Sequence, residues 1–133
     1  MRPLVVAVER PGSQDDLRFV YHSWLKGSRD AFPEMRTGDY FDLQHARIDR
    51  LLAMARLVVL HPEGAPAVIA GWALLDPGPD IAHYVHVTGE YRRRGFASRL
   101  LAGRTVTTHL TEQGQALKRK LGLRYMPHLL DAA

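Results

Sequence analysis

The sequence contains no cysteine. A disulfide scaffold, a cysteine nucleophile, a thiolate zinc site and an iron–sulfur cluster are all excluded with it. Long hydrophobic runs are missing too. The apolar N-terminal stretch Leu4-Val5-Val6-Ala7-Val8 is far too short to cross a bilayer and lacks the apolar length of a signal peptide. No membrane partner is expected, and the expected compartment is the cytoplasm. There is no internal repeat, no low-complexity stretch and no linker long enough to divide the chain, so residues 1–133 read as one domain. With 46% hydrophobic and 24% charged residues, the composition is that of a globular chain able to bury a core without staples.

Charge is present and unevenly placed. Residues 1–80 carry 9 Lys+Arg and 11 Asp+Glu, whereas residues 81–133 carry 9 and 3, so the net +4 is the sum of −2 and +6. A basic second half points to an anionic ligand. The phosphates of a cofactor and those of nucleic acid both fit this asymmetry.

Patterning predicts an α/β fold. The β-rich opening run ends at the turn Arg10-Pro11-Gly12, after which Ser13 and Asp15 can cap a helix whose stripe is Leu17, Val20, Tyr21, Trp24 and Leu25. Residues 28–38 read as a loop. A second helix is expected from 39 or 40 to about 56, with Phe41, Ile48, Leu51, Leu52 and Ala55 inward. Strands at 57–60 and 67–75 then form a hairpin across a Pro/Gly-rich turn, and 81–87 is a further strand. A helix at 95–101, a strand at 105–110, a helix at 112–121 and a short edge strand within 123–130 complete the order β-α-α-β-β-β-α-β-α-(β).

The chemistry is concentrated where the strand at 81–87 runs into Thr88-Gly89-Glu90-Tyr91-Arg92-Arg93-Arg94-Gly95-Phe96-Ala97-Ser98 and a helix opens. N–H groups at a helix start have no intrahelical partner, and the helix dipole favours an anion there. Gly95 permits close backbone approach, Ala97 keeps that approach open, and three arginines supply charge.

This segment resembles the signature of the GNAT superfamily of acyl-CoA-dependent N-acyltransferases: Arg or Gln, two variable residues, Gly, one variable residue, then Gly or Ala. Here it reads Arg92-Arg93-Arg94-Gly95-Phe96-Ala97, preceded by Val85-His86-Val87. The resemblance implies a GNAT-like fold, with a mixed, mostly antiparallel sheet flanked by helices, and acetyl-CoA as cosubstrate. It implies that N–H groups from Arg93 to Ser98 wrap the pyrophosphate, and that pantetheine pairs with Val85, His86 and Val87. It further implies that an N–H near Val87 polarises the thioester carbonyl. The acceptor would be a small amine or a protein amine that attacks the thioester directly. The family's Tyr in the last helix is replaced by Lys118, which leaves Tyr125 as the nearest phenol to protonate the leaving thiolate. Gly89 stands where the family has Pro. Eleven residues follow Gly122, so either a monomer with a truncated sheet or a homodimer completing it is expected.

A looser similarity links Tyr21-His22-Ser23-Trp24-Leu25, Thr108-His109-Leu110-Thr111 and Tyr125-Met126-Pro127-His128-Leu129-Leu130 to small phage-borne GNAT-like proteins (Mom-like), one distant relative of which modifies adenine in DNA. On that alternative, nucleic acid is the partner, read by Arg99, Arg104 and the basic run Lys118-Arg119-Lys120. A non-catalytic acyl-CoA-binding or interaction module is the other alternative.

The proton-handling candidates are His109, Tyr125, Tyr84 and His86. His109 ends a strand and has a suitable unperturbed pKa. Tyr84 and His86 share one face of their strand and His83 takes the other. His83 and His86 therefore diverge, and no metal is expected. Glu90 reads as a solvated partner for the arginines, Trp24 as core, and Asp39 or Asp42 as the carboxylate that draws in a cationic amine.

Overall fold

The computed structural model describes residues 6–109, 118, 119 and 121–127. Leu4 and Val5, Leu110 and Thr111, most of the helix expected at 112–121 with Lys120, and the last residues of the 123–130 expectation lie outside the described residues.

Strand β1 (Ala7–Pro11) is followed by a 3-10 turn at Gln14–Asp16 and helix α1 (Leu17–Ser28). The N-terminal cap differs from expectation. Asp16, not Asp15, answers Ser13: the Ser13 N–H and hydroxyl both donate to Asp16 Oδ2, at 2.7 and 3.1 Å. Arg10 closes the same carboxylate bidentately at 2.7 and 2.8 Å. The Arg10 guanidinium and the Ser13 bonds hold the Asp16 carboxyl down to about 2.

After a 3-10 turn at Arg29–Ala31, helix α2 spans Thr37–Met54. Its inward stripe is Tyr40, Gln44, Ile48 and Leu51, at helical spacings of four, four and three. Phe41, expected inward, is 43% exposed. Tyr40 takes the position because its hydroxyl donates to the Leu25 carbonyl of α1, while its ring meets Phe32.

Strands β2 (Arg56–Pro62), β3 (Gly71–Leu75) and β4 (Ile81–Val87) follow. β3 is shorter than the run of apolar residues suggested. Residues 62–70 turn through Ala65 N–H to Pro62 O and Val68 N–H to Ala65 O, and Pro66 has no N–H to give a ladder. Helix α3 is Phe96–Leu100, β5 is Val106–Thr107 and β6 is Arg124–Tyr125. The last two are shorter than the strands expected at 105–110 and 123–130. The sheet order is β1-β2-β3-β4-β5-β6, antiparallel from β1 to β4 and parallel across β4/β5 and β5/β6.

Helices cover both faces. α3 packs Phe96 and Leu100 with Leu60, Ala73 and Val87. On the other face Val20 and Trp24 of α1 and Ile48 and Leu51 of α2 meet Val59, Trp72, Leu74 and Tyr84. Each such fully buried side chain contributes about 1.5–3 kcal/mol. The centre of that layer is a column of rings: Tyr84 stacks on Trp24 at 4.0 Å and on Trp72 at 5.0 Å. Both indoles are hydrogen-bonded, Trp24 Nε1 to Gln44 Oε1 and Trp72 Nε1 to Ser23 Oγ, each at 2.8 Å.

Candidate functional site

Among the described residues β4 and β5 pair at Ile81↔Val106 and Ala82↔Thr107, and β5 ends there. Thr88 N–H bonds Ala70 O at 2.9 Å and Trp72 faces His86, so even-numbered residues here bond toward β3. By the alternation of an antiparallel ladder, Val85 and Val87 turn their main-chain groups to the β5 side. The Val87 carbonyl accepts from Arg92 Nε at 3.1 Å, which ties the following loop to the strand.

That loop is tightly wound. Tyr91 N–H returns to Thr88 O at 2.8 Å and Arg92 N–H to Gly89 O at 3.3 Å. Arg93 then has φ 63° and Gly95 φ 78°. The left-handed conformation is one that L side chains resist, so Gly95 suits its place and Arg93 carries local strain. The first helical N–H to bond back is that of Arg99, to Gly95 O at 3.1 Å, so Phe96, Ala97 and Ser98 present theirs without an intrahelical partner. A Cβ on Gly95 would meet nothing within 4 Å: the space over it is open. Arg94 lies over the Tyr91 ring at 5.8 Å. Val85, Val87 and Arg92 to Ser98 thus fall on one continuous edge and loop, whereas His86, expected to pair with the arm as well, turns its main chain toward β3 and its ring to the cavity.

Beside it, between α1 and β4, lies a cavity of about 520 Å³. Tyr84, His86 and Thr88 of the β4 side and Arg92 of the loop form one wall; Phe19, His22, Lys26 and Asp30 form the other. Burial, opposed by the Ser28 hydroxyl and reinforced by Tyr40, pushes the Tyr84 phenol up to about 12, so it stays protonated at neutral pH. Burial and the Arg92 guanidinium bring the His86 imidazole down to about 4, so it is neutral there.

The other candidates are placed differently. His109 follows β5, its ring edge-on to Trp24 at 5.1 Å, and is not among the cavity walls. Burial, with Arg47 and His83 nearby, holds it down to about 4 as well. Tyr125 is 44% exposed on β6, two strands from β4. Asp39 and Asp42 are exposed on α2, and the carboxylate that lines the cavity is Asp30 instead. Arg99 and Arg104, expected to face DNA, hold carbonyls: Arg99 that of Ala7 at 2.6 Å, Arg104 those of Asp76, Gly78 and Ile81. Sequence reasoning passed over Phe19, His22, Lys26 and Asp30. Their one signal was the spacing of 19, 22 and 26 along a single helical face.

No protein-family model matches the chain, and no curated protein matches it. Solved structures do. A possible acetyltransferase from Clostridium difficile 630 is 13% identical over 90% of this chain and 91% of its own, with a TM-score of 0.60. An aminoglycoside N-acetyltransferase solved in complex with CoA is 14% identical over 95% and 93%, at 0.52. A GCN5-related N-acetyltransferase from Rhodopseudomonas palustris is 16% identical over 92% of this chain and 70% of its own, at 0.51. The mixed sheet with its helical layers thus has the fold of the GNAT acetyltransferases.

Proposed function

We propose that this chain transfers an acyl group from an acyl-CoA, acetyl-CoA foremost, to an amine. The observation that carries the reading is the loop after β4. N–H groups without an intrahelical partner at Phe96, Ala97 and Ser98, open space over Gly95 and three adjacent arginines make an anion cradle after the end of β4. The residues present fit a pyrophosphate there, with an extended arm running back past Val85. The likeness in fold to an enzyme solved with CoA supports the same placement.

When bound, the acyl-CoA supplies a thioester whose carbonyl an amine can attack; the chain's own groups do the rest. Asp30 offers the incoming ammonium a counter-charge at the cavity wall. His86, neutral at working pH, accepts the ammonium proton directly or through a water. Tyr84, protonated, is the hydrogen-bond donor of the same wall. An amine acceptor suits this site better than a base in DNA, because Arg99 and Arg104 are committed to main-chain carbonyls.

Calorimetry on two variants tests the reading. Gly95→Ala adds only the cost of a positive φ, roughly 1–2 kcal/mol, in open space and should keep much of the acetyl-CoA affinity. Gly95→Glu adds the same strain plus a bulky anion, and affinity should fall by a further factor of about 100 or more, equivalent to about 2.7 kcal/mol. Equal affinity in folded Gly95→Glu and Gly95→Ala would remove the cradle.

A further inference from the structure

Between the β3–β4 turn and the end of β5, four side chains are joined end to end. Asp76 Oδ1 lies 3.1 Å from His83 Nε2, His83 Nδ1 lies 2.9 Å from Thr108 Oγ1, and the same Oγ1 lies 2.9 Å from His109 Nδ1. His83 and Thr108 are 2% and 1% exposed, so solvent does not compete for these bonds. At the outer end the Asp76 side chain is 24% exposed, and its second oxygen accepts the Gly78 N–H at 3.0 Å.

With Asp76 ionised and both rings neutral, the protons in this chain follow from donor arithmetic. An ionised carboxylate only accepts, so His83 Nε2 carries the hydrogen of the first bond. A neutral imidazole then offers Nδ1 as an acceptor, and the Thr108 hydroxyl must donate to it. That hydroxyl has one hydrogen. Its bond with His109 therefore runs the other way, from His109 Nδ1–H to Thr108 Oγ1. The His83 carbonyl also lies near the hydroxyl, but at 3.4 Å it is a poorer acceptor than a ring nitrogen at 2.9 Å.

We propose that Asp76, His83 and Thr108 are positioning residues that fix His109 as its Nδ1–H tautomer, leaving Nε2 as a proton acceptor beside the Trp24–Tyr84 stack. The charges around the run agree with a neutral ring. Burial and Arg47, which reaches His109 from α2, disfavour an imidazolium, against a smaller opposing hydrogen bond to the His83 main chain. Arg104 grips the Asp76 main chain at the opposite end. The consequence for catalysis rests on the acyltransferase reading. An ammonium acceptor that becomes an amide, with CoA leaving as thiol, releases one proton per turnover. His86 takes that proton from the amine at the cavity wall, and the aligned His109 Nε2 beside the Trp24–Tyr84 stack is a second neutral acceptor to which it can pass. The tautomer itself does not depend on that reading.

Nitrogen–proton correlation NMR on ring-labelled histidine reads tautomers directly. At neutral pH the wild-type chain should give His109 as Nδ1–H, and Thr108→Ser should preserve it. Thr108→Val, which keeps the volume but removes the hydroxyl, should move the population toward Nε2–H. A wild-type His109 in the Nε2–H form, or one that ignores Thr108→Val, overturns the proposal; the wild-type spectrum alone decides if the Val variant does not fold. In acetyl-CoA transfer assays, Thr108→Val should lower kcat about tenfold or more and move the acid limb of its pH profile. KM for acetyl-CoA should stay unchanged, and Thr108→Ser should restore kcat. A tautomer that follows Thr108 while kcat stays fixed removes His109 from the reaction. A wild-type chain without turnover on any amine defeats the acyltransferase reading and leaves the spectral result to judge the positioning chain.

Discussion

His86 and His109 are both held down to about 4, against 6.5 for a free imidazole, by burial and by a nearby arginine, Arg92 for one and Arg47 for the other. An unfolded chain binds these protons near pH 6.5, whereas the folded chain does not until about pH 4. Between those values the unfolded state holds more protons, so stability falls as pH drops through the window and is level above it. Each ring contributes a slope of at most about 1.4 kcal/mol per pH unit. Asp16, at about 2 against 3.8, extends the loss to lower pH as its bonds to Arg10 and Ser13 are protonated away. Urea unfolding between about pH 7 and about pH 4.5 measures this slope. His86→Gln should remove about half of it. A slope that survives replacement of both rings would mean that both are protonated in the fold.

At the level of elements, alternation along β4 was legible because a strand's period is fixed by geometry: Tyr84 and His86 share a face, as expected from sequence. The stripe of α2 was not. Phe41 is the more apolar of two neighbours, yet Tyr40 goes inward because its hydroxyl finds the Leu25 carbonyl, a partner on another helix. Gln44 likewise sits in the stripe to receive Trp24 Nε1. That amide gives a test in which two terms oppose. Among the described residues Gln44 Nε2 has no partner, so Gln44→Leu relieves one buried donor while orphaning the Trp24 N–H. Each effect is about 1–3 kcal/mol, and they nearly cancel. Gln44→Leu should therefore unfold within about 1 kcal/mol of wild type, whereas Trp24→Ala, which empties the centre of the ring column, should cost about 3–5 kcal/mol. Denaturant midpoints at a common m-value would decide it, and a loss above about 3 kcal/mol for Gln44→Leu would contradict the cancellation.

For the molecule as a whole, the cradle was readable because its residues are contiguous, from Val85 to Ser98. The cavity and the positioning chain were not. Asp30 meets Tyr84 only through the packing of α1 on the sheet, and His83 meets Thr108 across 25 positions of sequence. The charge asymmetry was readable as well, but its meaning changes with the fold. Of the basic residues after position 80, Arg99 and Arg104 hold main-chain carbonyls, while Arg92, Arg93 and Arg94 gather on the loop after β4. DNA drawn to that loop would compete for the three arginines of the proposed CoA site.

That overlap gives competition as well as salt sensitivity. About three phosphate contacts predict a log–log salt slope of roughly −2.7 for double-stranded DNA, so binding should be weak at physiological ionic strength. Saturating CoA should abolish it. Fluorescence anisotropy of a labelled duplex, titrated with salt and then with CoA, measures both effects. DNA that stays bound under saturating CoA would place nucleic acid on a different surface and revive a base-modifying role. Mass spectrometry of nucleosides from DNA co-expressed with the chain then separates adventitious attraction from chemistry. The amine reading requires an unchanged nucleoside profile. A new base mass that disappears with Gly95→Glu would assign the cradle's acyl donor to DNA, since the same loop would be serving both.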